Sequence, residues 1–233
     1  MQQNGTNGGS ETTDATRAQK DHQQLWASPR AIVLGWCLWL LGVWGVSLWI
    51  DSAVPATRWM LFSTLLGLMV LWPTVRLSLD TTRRGHTTSQ VIVEWLALIT
   101  IFQAVVWPLA ITARWGFAQT LWLDLAVLSW SLVAALLVAM GSWSRRGLHR
   151  SVAAVLCIGL LLGEPLAVGL LSQGSEPSGG TVFRVSPIQT VWALTEMPAD
   201  FATGPWRTNV VCAAAAGAIG WFLFGLFGPP KAR

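Results

Sequence analysis

Residues 31–50 read AIVLGWCLWLLGVWGVSLWI, twenty consecutive positions without a charged side chain. A helix needs about 20 mostly apolar residues to cross roughly 30 Å of hydrocarbon, and this run meets that length. Five more stretches follow it: about 59–79, 91–111, 117–140, 152–171 and 209–228. The apolar residues are continuous and do not alternate, which is the pattern of spanning helices rather than of barrel strands. The whole chain agrees. Of its 233 residues 53% are hydrophobic and 11% charged, against about 25% charged in an ordinary soluble domain; mean hydropathy is +0.51. A disordered chain, a fibrous repeat and a typical soluble enzyme are excluded. The sequence predicts an all-α, polytopic membrane helix bundle with six transmembrane helices embedded in a lipid bilayer.

Orientation follows from Lys and Arg in the short loops. With an even number of spans both termini share one side. That side carries Arg17, Lys20, Arg30, Arg76, Arg83, Arg84, Arg145, Arg146, Arg150, Lys231 and Arg233. The other side carries Arg58, Arg114, Arg184 and Arg207. Both termini are therefore expected in the cytoplasm, and the net charge of +4 is mostly a topology signal. No basic patch interleaved with aromatics points to nucleic acid. Residues 1–24 are polar and read as a disordered cytoplasmic tail, without the apolar core of a cleavable signal peptide. Residues 25–233 form the membrane domain. A multi-pass protein of the cell membrane, with a bacterial inner membrane as the natural host, is the expectation.

Charges inside a bilayer are costly and mark candidate functional positions. Glu94 lies within a turn of its span's cytoplasmic edge and is expected to reach water, and Arg76 to snorkel to the headgroups. Asp124 and Glu164 each lie seven residues from the outer end of their spans, at 1.5 Å per residue roughly 10 Å below the surface. They could line a polar path or share a proton; they could equally be held in a structural network by Arg114, Gln103, Gln119 or a backbone group. Pro73, Pro108 and Pro165 are candidate kinks. Gly159 and Gly163, and Ala213, Ala216, Gly217 and Gly220, give two small-residue faces suited to close helix contacts, within the chain or in a dimer.

The loop 172–208 separates the last two spans on the outer side. Within it Ser186-Pro187-Ile188-Gln189 has the pattern of a helix start, with Ser at the N-cap, Pro at the first helical position and Gln closing a capping box. Ile188, Val191, Trp192 and Thr195 would form its apolar face, and Pro198 would end it. This helix is expected either to lie in the outer leaflet or to cap the bundle.

No catalytic constellation is present. His22, His86 and His149 lie outside the spans without a recognisable partner, Cys37, Cys157 and Cys212 have neither disulfide nor metal spacing, and no phosphate-binding glycine loop occurs. Haem would need His or Met at depth; Met60, Met69 and Met140 are available but no His is. No cofactor is expected. The sixteen tryptophans are read as packing and lipid contacts in preference to a ligand cage.

Cytoplasmic termini, an N-terminal interfacial segment, six spans, an Arg-rich second-to-third loop (Arg83-Arg84-Gly85-His86-Thr87) and the turn Val185-Ser186-Pro187-Ile188 before the last span are the features to compare. The layout over about 30–233 resembles the permease subunit of an ABC-2-type transporter. The chain departs from that family where His86 separates the Gly-Thr pair and where no acidic residue follows it. The resemblance implies that residues 80–90, with Arg83, Arg84, Gly85 and His86, dock on a separate ATPase, that two copies form a homodimer around a pore, and that an amphipathic substrate is exported. The alternative is a structural subunit that anchors a larger complex without transport.

Overall fold

The computed structural model describes residues 29–47, 49–50, 53–78, 88–143, 147–171, 186–196 and 205–227. Among them every regular element is a helix: α1 (Pro29–Ser47), α2 (Ala53–Leu66), a π-helical segment (Gly67–Leu71), α3 (Trp72–Ser78), α4 (Thr88–Thr112), α5 (Phe117–Trp143), α6 (Gly147–Leu171), α7 (Pro187–Glu196) and α8 (Pro205–Phe227). The tail 1–28, the Arg83–His86 docking stretch and Pro198 lie outside the described residues. The all-α bundle is as the sequence predicts.

Five helices are long and apolar enough to cross a membrane, with α2, the π segment and α3 running on as one rod over Pro55–Ser78. The chain has the build of a multi-pass integral membrane protein. The first expected span is the exception. Its apolar helix covers Ala31–Ser47, the lower limit of about 17 residues for a crossing. The Ser47 hydroxyl donates to the Trp44 carbonyl at 2.6 Å, and Trp49 and Ile50 donate to Val46 and Ser47, so the chain tightens into i→i−3 turns before position 50. Of the other helices, α5 begins at Phe117 as expected, while α4, α8, α6 and α2 begin three, four, five and six residues before the expected spans.

α5 is the hub, packed against α3, α4, α6, α7 and α8. Ala126, Ala134, Ala135 and Ala139 on it are buried, and small residues let neighbouring backbones approach where lipid supplies no hydrophobic drive. The small face of α8 is spent here: Gly217 and Gly220 lie against Leu132 and Leu136 of α5. That face serves packing within the chain. The α6 pair is different, since nothing lies within 4 Å of a Cβ at Gly159 or Gly163.

The tryptophans tie helices together. Indole N–H groups of Trp36 and Trp39 on α1 donate to the carbonyls of Leu98 and Ser63, at 3.2 and 3.1 Å. Trp95 on α4 donates to Ser131 Oγ, and Trp221 on α8 to the Leu132 carbonyl, both on α5. An N–H left unbonded in hydrocarbon is costly, so each indole contributes apolar area and one directed bond. Trp36 and Trp39 also lie against Gly67, whose Cβ would stand 2.9 Å from both Trp36 Cη2 and Trp39 Nε1. The π segment has a local cause in Pro73. Proline lacks an N–H and its ring clashes with the carbonyl four residues back; widening to i→i+5 bonding, with Trp72 N–H donating to the Gly67 carbonyl, opens the helix just before it.

Arg76 and Glu94 correct the sequence reading. Neither reaches headgroup or water. Arg76 Nε lies 2.9 Å from Glu94 Oε2, with the side chains 1% and 3% exposed. The guanidinium turns inward to a carboxylate that offsets its burial.

Candidate functional site

The candidate residues gather at the end of the bundle where α2 and α5 begin and α6 ends, around the short helix α7. Four neighbours hold it. Glu164 Oε2, on α6, accepts the backbone N–H of Ser186 at 2.5 Å, and the Ser186 hydroxyl donates to the Leu161 carbonyl. At the other end Gln119 Nε2, on α5, donates to the Leu194 carbonyl at 2.7 Å. Arg58 Nη2, on α2, donates to the Thr195 carbonyl at 3.5 Å. A carboxylate therefore stands at the N-terminus of α7 and a guanidinium at its C-terminus. Both signs match the helix dipole and satisfy backbone groups that a helix leaves open at its ends.

The capping box is not formed. Glu164 takes the Ser186 N–H that Gln189 would have bonded, the Ser186 hydroxyl turns to Leu161, and Gln189 Oε1 is buried with no hydrogen-bond partner. A charged acceptor from a packed neighbour outcompetes a neutral amide three residues away. The buried face is also rotated from the expected stripe. Val191 and Leu194 are fully buried with Thr190 and Thr195, Ile188 is half-buried, and Trp192 faces outward. Trp192 stacks on Phe62 at 5.7 Å and lies under the Arg58 guanidinium at 4.8 Å, which fixes the indole at the rim. α7 packs on the bundle end, with Pro187 buried at its first position.

Beside this helix lies a second polar cluster. Gln103 Nε2, on α4, donates to Asp124 Oδ1 at 2.6 Å, and Trp107 Nε1 donates to Gln103 Oε1 at 2.9 Å. Asp124 is buried. Asp124 and Glu164 are thus held by separate partners, the first by Gln103 and the second by a backbone group, and among the described residues no bond joins them. A third element completes the rim: the Arg207 guanidinium lies 5.3 Å from the rings of Trp122 and Trp206, which meet edge to face at 5.1 Å. Such cation–π contacts hold a cation at an apolar edge.

Sequence reasoning missed Arg58, Phe62, Trp122 and Arg207. Their signal was present: two of the four basic residues on the sparsely charged side, each within reach of a Trp-rich helix start. What this arrangement does is fix one short helix across a bundle end by charge, amide and ring contacts. Among the described residues no three His, Cys, Asp or Glu side chains converge as a metal site. The sequence matches no family model, and neither the curated proteins nor the solved structures contain a match to it.

Proposed function

We propose that the chain is a permease-like subunit of an ATP-driven exporter, paired with a second copy and powered by a separate ATPase. The reading rests on one observation. The buried Arg76–Glu94 pair joins α3 and α4, the two helices that residues 79–87 connect in sequence. A push by a partner on either helix end reaches the other helix through a buried ion pair. From α3 it passes to the π segment and to Gly67, against which Trp36 and Trp39 lie. α7 supplies the opposite closure. Arg83, Arg84, Gly85 and His86 contact the ATPase in this reading, on the cytoplasmic side given by the Lys and Arg bias.

A second reading is favoured by a different observation: Asp124 and Glu164 each have a partner within the chain, as expected of a bundle that anchors a complex and conducts nothing. Affinity purification in mild detergent with mass spectrometry separates the two. A stoichiometric ATPase, lost in the Arg83→Glu/Arg84→Glu variant, is the outcome for a permease. A large complex without an ATPase, unchanged by those substitutions, is the outcome for an anchor.

A further inference from the structure

Three charges within the bundle have their cost met inside the chain. Arg76 and Glu94 face each other at 2.9 Å, and Glu164 accepts the Ser186 N–H at the start of α7. Asp124 differs. It stands two turns into α5, roughly 10 Å along the helix from Phe117, and is 7% exposed. Its Oδ1 accepts the Gln103 amide N–H at 2.6 Å. Gln103 is neutral, and among the described residues no cation forms an ion pair with Asp124. A carboxylate at this depth without a countercharge is costly, and such groups mark sites for substrates or ligand counter-ions.

The neighbours are arranged around that carboxylate. Trp107 Nε1 donates to Gln103 Oε1 at 2.9 Å, which turns the Gln103 NH2 toward Asp124. The recess opens sideways between α4 and α5. On one wall Gln103 is half-buried and Trp107 exposed; on the other Phe117 and Leu121 are exposed. The Trp107 and Phe117 rings meet at 5.8 Å on the outer side of the carboxylate. Between two spanning helices such an opening faces acyl chains, so an occupant arrives from the bilayer.

The donor set selects the occupant. A hard metal ion takes about six or more oxygens. Here Gln103 Oε1 is already bonded to Trp107, and the Thr120 hydroxyl, one turn before Asp124, donates to the Gly116 carbonyl. One recessed carboxylate, an indole face and apolar walls remain. An ammonium group needs a charged acceptor and gains from an aromatic face, and an apolar body attached to it matches Phe117 and Leu121.

We infer that the α4–α5 recess binds a primary amine carried on an apolar body, with the ammonium on Asp124 and the body against Trp107, Phe117 and Leu121. Binding at equilibrium needs no ATPase, so the site goes beyond the exporter reading and would serve an anchoring subunit equally well.

The test is equilibrium dialysis of adamantylamine, and of its neutral isostere adamantanol, against the full chain in phosphatidylcholine nanodiscs at neutral pH, with uptake by empty nanodiscs subtracted. The wild-type chain should hold the amine at least about tenfold more tightly than the alcohol, the size of one hydrogen bond to a charged group. Asp124→Asn, nearly unchanged in shape, should bring the two to parity. Trp107→Leu should weaken the amine several-fold. Trp44→Leu, which removes an exposed indole on α1, should leave it unchanged. Should Asp124→Asn not fold, the ratio of amine to alcohol on the wild-type chain still decides. Equal binding of the two by the wild-type chain, a preference retained in Asp124→Asn, or an equal loss in Trp44→Leu would overturn the assignment. So would a carboxylic-acid infrared band of Asp124 that added amine leaves untouched, because a bare proton would then be the occupant. A dimer that Asp124→Asn dissociates would overturn it too, since a second copy would fill the recess.

Discussion

The two ends of this bundle handle charge in opposite ways. At the α7 end, charges act on backbone and rings: Glu164 on the Ser186 N–H, Arg58 on the Thr195 carbonyl and the Trp192 ring, Arg207 on Trp122 and Trp206. At the other end one full ion pair, Arg76–Glu94, is sealed inside. The first arrangement spreads its energy over several partly accessible contacts. The second concentrates it in a buried pair in which each charge offsets the desolvation of the other. An end with distributed contacts can loosen by degrees, whereas a sealed pair is either made or broken.

The largest expected effect tests the sealed pair. Arg76→Leu leaves Glu94 charged in the interior and should destabilise by about 3–5 kcal/mol, read as the denaturation midpoint in mixed micelles. The double variant Arg76→Leu/Glu94→Leu should recover most of that loss, because two apolar side chains of similar volume carry no desolvation cost. If the double variant is as unstable as the single, the pair is not what holds α3 to α4.

Glu164→Ala comes next. Removing one hydrogen bond to a charged group should cost about 1.5–3 kcal/mol, less than Arg76→Leu because α7 keeps its Gln119 and Arg58 contacts. Amide hydrogen exchange along α7 should speed up first near Ser186 and only later near Leu194. Uniform acceleration through the whole bundle would erase the contrast between the two ends.

How much of this was legible in the sequence depends on how local the cause was. Hydrophobic length and continuity were enough for the helices, because a spanning helix satisfies its own backbone. The start of α7 at Pro187 was readable for the same reason, as a matter of four adjacent residues. Its cap was not readable, since the group that reached Ser186 sits 22 positions away on another helix. Nor was the Arg76–Glu94 pair, because distance to the expected edge of a span says nothing about which face a side chain turns to. Gln103 was named as a partner for Asp124 and proved to be one, although sequence alone left it level with Arg114 and Gln119. The π segment has a visible trigger in Pro73 but not a visible extent. Gly67 gave no sign that two indoles from α1 would rest on it.

Gly67→Ala sharpens the comparison from the middle of the rod. The new methyl would meet Trp36 and Trp39, whose indoles are already committed to the Leu98 and Ser63 carbonyls. Overpacking of this kind should cost about 1–3 kcal/mol. Gly220→Ala meets only the tip of the Leu136 side chain, which can turn aside, and should cost less. Equal losses at the two positions would mean that the α1 indoles are free to move.

The smallest effect has the opposite sign and lies at the turn between α4 and α5. Arg114 has φ 56°, the left-handed region. Its N–H donates to the Ile111 carbonyl and the Trp115 N–H to the Ala110 carbonyl, at 3.3 and 3.0 Å. That pair of bonds is a Schellman ending, which glycine favours because it has no Cβ to clash. An arginine there costs about 1 kcal/mol, so Arg114→Gly should raise stability by up to about that amount, offset in part by the greater freedom of glycine in the unfolded chain. The gain should appear without any change in hydrogen exchange along α7, since the turn is fixed by its own backbone. A loss of stability on Arg114→Gly would show instead that the guanidinium contributes to the α7 end, and would add a fourth charge to the contacts distributed there.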